Sequence, residues 1–343
     1  MPFSQLIGHD RPKAILMASI LHDRVAHAYL FHGEEGIGKK LAAILFAQTV
    51  NCDTPYGSQG PDACGTCRSC TQIDARTHPD FLVIEPDREM ANPQIKIEQV
   101  RQLEEQIVYR PLVSPWKIYL LDDADRLTQG AANALLKTLE EPAAHSLFLL
   151  VSSRPSALPT TVRSRCQSIR FVPPAKTQVE AALITQRDLP PDDAHFLSML
   201  AQGRIGLALR TDLAEARKQQ DEFSSLTNPA TLRSISTILT VAESLHKSDR
   251  VLEALEWLTR WGRDLLLVRM GADPEHLLNR DRLPDLQRAA STVQPQLLVQ
   301  VLEEIQTVER HAGRNLNLQL ALEQILLHLR DAVAPPALAG PAR

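Results

Sequence analysis

The constraint that bears hardest on this chain is a glycine-rich turn set between two different periodicities. Ala28-Tyr29-Leu30-Phe31 is a short apolar run of strand type, Leu41 to Val50 has helical spacing, and Gly33-Glu34-Glu35-Gly36-Ile37-Gly38-Lys39-Lys40 stands between them. A strand that turns through glycines straight into a helix opens a βα unit, so an α/β domain with a largely parallel sheet is expected. The same glycines let backbone N–H groups converge on an anion at the helix N-terminus, and Lys39 has the reach to touch terminal phosphates. Gly33, Gly36, Gly38, Lys39 and Lys40 are therefore candidate contacts to the phosphates of ATP or ADP. Position 40 breaks the pattern, because a Ser or Thr hydroxyl belongs there to ligate Mg2+ and an ammonium cannot do so. A defective Mg2+ site is expected. A plain glycine turn between strand and helix is the competing reading.

The other half of such a site is an apolar strand ending in acid, and Lys117-Ile118-Tyr119-Leu120-Leu121-Asp122-Asp123-Ala124-Asp125 supplies it. Asp122 stands where a carboxylate orients Mg2+. Asp123 stands where hydrolysing ring ATPases usually carry Glu to polarise water, and it is one methylene shorter, so reach is lost. A solvated strand end is the bland alternative for these acids.

Further strands are expected at Phe81-Leu82-Val83-Ile84, Ile118 to Leu121, Leu147 to Val151 and Ile169-Arg170-Phe171. Helices are expected where Ile95, Val100, Leu103 and Ile107 recur, ended by Pro111, and from Ala131 to Glu141, stopped by Pro142. After Pro173-Pro174 the strand-like runs vanish and leucine and alanine at helical spacing continue. The expected division is an α/β domain over 1–174, a small helical unit over 175–215, a larger helical bundle over 220–331 and a mobile tail over 332–343. Trp257 and Trp261, one helical turn apart, read as core anchors.

The 343 residues carry 37 Lys plus Arg against 41 Asp plus Glu, so the chain is no polycation and any contact with nucleic acid comes from a local face or a shared assembly. No apolar run approaches the roughly 20 residues needed to span a bilayer. The first five residues lack the pattern of a secretory signal, so cytoplasmic residence is expected.

Four of the five cysteines, Cys52, Cys64, Cys67 and Cys70, fall within nineteen positions, and Cys166 stands alone. In a reducing compartment this spacing reads as a metal site rather than two disulfides. Two overlapping two-residue gaps, eased by Gly65, bring three thiolates to one centre and Cys52 completes a tetrahedron for structural Zn2+. Four sulfurs leave no coordination position for water, so the ion is expected to hold a loop and do no catalysis. Direct reading of DNA by this module is not expected, since Arg68 is the one basic residue between Cys64 and Cys70.

Together these residues resemble the clamp-loader branch of the AAA+ ATPases. The resemblance runs from Leu6-Ile7-Gly8-His9 through the glycine loop, the cysteine insert and Asp122-Asp123-Ala124-Asp125-Arg126-Leu127. It continues through Ala132-Asn133-Ala134-Leu135-Leu136-Lys137-Thr138-Leu139-Glu140-Glu141-Pro142 to Ser164-Arg165-Cys166, about half the chain. It implies an arginine finger at Arg165, acting on ATP held by a neighbouring subunit, and a phosphate sensor at Ser152 or Ser153. In the second sensor pattern of active relatives, Gly206 takes the place of arginine, and Arg204, two positions earlier, would point about 200° away on a helix. The resemblance makes the helical parts over 175–215 and 220–331 a lid and a collar. It further implies a hetero-oligomeric ring of other clamp-loader subunits, with the sliding clamp and primer-template DNA reached through that assembly. Polymerisation is expected in another chain. Within the family, the defective loop favours a bracing subunit with weak or absent ATPase over an ATP-hydrolysing motor. A small-molecule kinase would leave the Ser-Arg-Cys motif and the helical half unexplained.

Overall fold

The computed structural model describes residues 6–54, 56–57, 60–87, 92–312 and 316–333. Its first part contains helices α1 (Asp10–Leu21), α2 (Lys39–Val50), α3 (Arg68–Asp74), α4 (Ile97–Ile107), α5 (Gln129–Glu140) and α6 (Thr160–Arg163). Between them run strands β1 (Ala28–His32), β2 (Tyr56–Gly57), β3 (Gly60–Pro61), β4 (Phe81–Ile84), β5 (Lys117–Leu121), β6 (Ser146–Ser152) and β7 (Gln167–Arg170). Strands β4, β5, β6, β1 and β7 lie side by side in that order in one sheet, all parallel, with Leu30 and Leu121 both opposite Leu150. The pair β2 and β3 forms a separate antiparallel ladder.

Strands β5 and β6 are buried along their whole length, which is why they read as continuous apolar runs rather than alternating ones. Side chains nevertheless alternate between the faces. Tyr29, Phe31, Ile118, Leu120, Leu147 and Leu149 pack with Leu16 of α1 and Phe46 of α2 on one side. Leu30, Tyr119, Leu121, Phe148 and Leu150 pack with Val100 and Leu103 of α4 and Leu135 of α5 on the other. The expected strands and helices are present, with β7 running from Gln167 to Arg170 and leaving Phe171, expected within it, just past its end.

Both boundaries of α4 differ from expectation. Ile95 does not belong to α4 but makes an isolated parallel bridge with Leu127, its N–H donating to the Arg126 carbonyl at 2.9 Å and its carbonyl accepting from Thr128 at 3.0 Å. The five-residue step from Ile95 to Val100 already departs from helical spacing. Helix α4 also stops at Ile107, ahead of Pro111. Beyond it, the exposed Leu112 and Val113 belong to a loop whose shape is set by buried Asp80, which accepts from the N–H groups of Leu112, Val113 and Ser114.

Among the described residues, no strand follows Arg170. The remainder is α7 (Lys176–Arg187), α8 (Pro191–Ala201), α9 (Ile205–Arg210), α10 (Leu213–Ser224), α11 (Pro229–Arg233), α12 (Ile235–Lys247), α13 (Val251–Arg269), α14 (Leu283–Thr292), α15 (Pro295–His311) and α16 (Leu318–Val333). The chain divides into two compact units, Met1–Asp188 with Ala201–Leu209 and Leu189–Leu200 with Arg210–Arg343. In the second, Trp257 and Trp261 stack within a leucine-rich core, their ring centroids 6.4 Å apart. Ala332 and Val333, expected in the tail, are instead buried at the end of α16, where the Ala332 carbonyl accepts from Gln294 N–H at 2.8 Å. The rest of the expected tail and the first five residues lie outside the described residues. No helix among the described residues is long and apolar enough to cross a membrane.

Candidate functional site

The glycine loop leaves β1 at His32 and enters α2 at Lys39. Gly33 has φ 150, and a Cβ there would meet the Phe171 carbonyl oxygen at 2.3 Å, so the opening of the loop admits only glycine. Gly38, with φ 104, caps α2 and leaves the first-turn N–H groups of that helix facing the loop. This cradle fits a phosphate. Lys39 is nearly buried and donates from Nζ to the Gly33 carbonyl at 2.7 Å and to the Glu34 carbonyl. Burial lowers its pKa, opposed by the nearby carboxylates of Glu35, Asp122, Asp123 and Asp125.

Lys40 points elsewhere. Its Nζ is 2.8 Å from Asp122 Oδ2 and 2.7 Å from Glu85 Oε1, and Glu85 is also 2.8 Å from Arg76 Nη1. Asp122 directly follows β5, 5% exposed, its N–H held by the Ile84 carbonyl at 2.9 Å. An ammonium between two carboxylates offers no oxygen to a divalent ion, and these residues do not fit Mg2+. Glu85 and Arg76 were not foreseen from sequence. The available signal was Glu85 itself, an acid one step beyond an apolar strand parallel to β5.

Asp123 adopts a left-handed backbone (φ 48), and its carboxylate is 4.0 Å from Arg126. Asp125 accepts from Ser152 Oγ at 2.9 Å, Ser153 N–H at 3.2 Å and Arg154 Nε at 3.2 Å. Burial works to raise its pKa, but these donors outweigh burial and hold it below the ordinary carboxylate value. The sensor candidates Ser152 and Ser153 are thus joined through Asp125 to the acidic turn. Arg204 lies just before α9 rather than in it, so helical arithmetic does not govern its direction. Its stem packs against Gly36, 3.3 Å from where a Cβ would stand, and Gly206 N–H donates to the Gly36 carbonyl at 3.3 Å. His9, which closes the Leu6-Ile7-Gly8-His9 segment, places its Nε2 2.7 Å from the Ile37 carbonyl, a contact that no local sequence signal announces. An acceptor carbonyl there assigns the proton to Nε2.

The ligand atoms of Cys52, Cys64, Cys67 and Cys70 all lie within 4.8 Å of one another. Tetrahedral sulfurs about 2.3 Å from Zn2+ would be about 3.8 Å apart, so this cluster fits that ion. Cys52 Sγ and Cys67 Sγ are 3.9 Å apart, and the sulfurs of Cys52, Cys64 and Cys67 accept N–H groups from Cys64, Cys67 and Cys70 at 3.2 to 3.4 Å. Gly65, with φ 73, makes the turn within the gap from Cys64 to Cys67. Gln48 of α2 donates to the Cys70 carbonyl at 2.9 Å, which ties the module to the helix that leaves the phosphate loop.

Arg165 follows the short helix α6. Its Nη2 is 2.5 Å from Glu140 Oε1 and its Nη1 donates to the Thr161 carbonyl at 2.8 Å, while the side chain stays 33% exposed. The guanidinium is therefore braced at the surface. Cys166, by contrast, is a thiol pushed up to about 12 by burial and is a packing residue.

Residues 8–175 match a family model described as DNA polymerase III, delta subunit, and residues 216–331 match one described as DNA polymerase III, delta subunit, C terminal. The chain is 30% identical over 326 residues to DNA polymerase III subunit delta' of Bacillus subtilis (strain 168), covering 94% of this chain and 96% of that one. It is 32% identical over 315 residues to subunit delta' of Pseudomonas aeruginosa, covering 90% and 93%. It is also 35% identical over 208 residues to subunit tau/gamma of Haemophilus influenzae, covering 59% of this chain but 29% of that one.

Proposed function

This chain belongs to the family of DNA polymerase III delta' subunits, and from that premise we propose that it is a bracing member of a clamp-loader ring. In this reading it supplies a positive charge to a neighbour's ATP and hydrolyses little or none itself. The ion pair between Lys40 and Asp122 carries the reading, because it puts an ammonium where a hydrolysing site keeps its metal. Asp123, short for a general base, points the same way.

Arg165 is the group offered outward. A guanidinium is permanently charged and bridges two phosphate oxygens, which an ammonium does as a point charge only. Glu140 limits its rotamers, so less side-chain freedom is lost when a neighbour's phosphate replaces the carboxylate. Its exposure to solvent makes the pair itself weak, and exchange is cheap. Residues 175–215 and 220–331 serve as lid and collar, the collar holding the ring together. The four cysteines hold structural Zn2+. ATP or ADP in the chain's own loop would be gripped by Gly33, Gly36, Gly38 and Lys39. Through the assembly the chain contributes to loading a sliding clamp onto primer-template DNA, and polymerisation lies in another chain.

The test is reconstitution of the ring with Arg165→Ala. ATP hydrolysis at the neighbouring site that Arg165 would complete is expected to fall at least about tenfold, given that such fingers contribute about a thousandfold or more to a single site. Wild-type hydrolysis and loading would refute the finger. A motor subunit of tau/gamma type is the second reading, favoured by retention of Lys39 and Asp122 and by the identity to tau/gamma over 208 residues.

A further inference from the structure

Four carboxylates gather beyond the phosphate loop, and each has a cation of the chain's own beside it. Asp122 is paired with Lys40, and Glu85 with both Lys40 and Arg76. Asp125 meets Arg154 at 3.2 Å and Asp123 meets Arg126 at 4.0 Å. An acidic edge that a metal ion ordinarily neutralises is here neutralised by side chains.

We propose that the Lys40 ammonium is the resident cation of this loop, standing between Asp122 and Glu85 in place of a divalent ion and closing the loop to Mg2+. The spatial reason is direct. Mg2+ needs six oxygens at about 2.0 to 2.1 Å, whereas one oxygen of each carboxylate is already bound to Nζ at 2.8 and 2.7 Å. The electrostatic reason adds to it, since a divalent ion would share a largely buried cleft with a fixed positive charge. Lys40 has little freedom to leave. It sits in the first turn of α2, next to Lys39, whose own ammonium is tied to the loop carbonyls. The two lysines therefore divide the work. Lys39 faces the phosphate cradle, Lys40 faces the carboxylates, and any phosphate compound in the cradle is held without Mg2+. This inference rests on reading 33–40 as a phosphate loop but not on ring assembly.

Mn2+ is the probe, added to the full-length, zinc-loaded chain, with free Mn2+ read by electron paramagnetic resonance. Wild type, Asp122→Asn and Lys40→Arg should leave the free Mn2+ signal equally high. Lys40→Ser should take up an additional equivalent, and Lys40→Ser combined with Asp122→Asn should lose it. Wild-type uptake that Asp122→Asn abolishes would overturn the proposal, and so would a folded Lys40→Ser that binds no more Mn2+ than wild type. A second readout needs no variant at position 40: the unfolding midpoint of the zinc-loaded wild type should be the same without added Mg2+ and in millimolar Mg2+, with no chelator present. A rise with Mg2+ that disappears in Asp122→Asn would equally sink it. These readings are made on the isolated chain, so they stand or fall separately from the Arg165 reconstitution.

Discussion

His9 carries a left-handed backbone (φ 58) directly after Gly8 (φ 68), and this bend lays its ring edge-on to Phe171, the centroids 5.0 Å apart, with Nε2 on the Ile37 carbonyl. Burial holds the imidazole pKa below its ordinary value of 6.5, outweighing the carbonyl bond that favours the charged form. The folded state refuses a proton that the unfolded chain accepts. The His9 contribution is therefore complete above the unfolded value, near pH 6.5, and is lost as the pH falls from there toward the folded value. Gln at this position keeps an N–H donor and does not titrate. Between about pH 7.5 and about pH 5.5, His9→Gln should lose less of its unfolding midpoint than the wild type loses. Equal losses in the two proteins would remove His9 from the pH dependence. The same logic of local commitment separates Lys39 from Lys40. Adjacent in sequence, they serve different partners because successive helical residues point about 100° apart.

At the scale of elements, the cysteine module is a short chain segment with little apolar surface of its own. Its helix α3 is seven residues long, and Cys67 caps it by accepting the Cys70 N–H through sulfur. Helices this short are marginal without tertiary support, so the ion is expected to supply much of the order. Its anchors are Gln48 of α2 and Asn51, whose amide exchanges two hydrogen bonds with the Trp116 backbone at 2.8 and 3.0 Å just before β5. Stripping the metal with a strong chelator, or replacing Cys67→Ser, should lower the unfolding midpoint by about 5 °C or more. Metal analysis should show one zinc per chain in the wild type and loss of it in Cys67→Ser. A full complement of zinc in the variant, or none in the wild type, would contradict the assignment.

For the molecule as a whole, the loop and the arginine answer different questions about ATP. In the proposed reading, the loop concerns nucleotide held by this chain, and Arg165 concerns nucleotide held by another. A chain with its own catalytic cation replaced by Lys40 should hydrolyse ATP at no more than background when purified alone. Turnover that disappears on Lys39→Ala would instead establish a motor, whatever Arg165 does in the ring. Steady-state phosphate release by the isolated chain, measured with and without the other subunits, separates the two.

Much of this was legible in the sequence because it is local. Gly33, Gly36 and Gly38 announce a turn whatever surrounds them, the two-residue gaps between Cys64, Cys67 and Cys70 confine three sulfurs to one centre, and fully buried parallel strands such as β5 and β6 must be apolar throughout. Partnership between distant residues was not legible, because side-chain length and charge do not say which group lies opposite. Lys40 declared only that a hydroxyl was missing; the sheet order, which sets β4 beside β5, brought Glu85 to Asp122 and turned that gap into an ion pair. Glu140 likewise met Arg165 only once α5 and α6 packed together. Sequence determined the parts and their chemistry, and tertiary structure decided their counter-charges, since those depend on distances that close only when the chain folds.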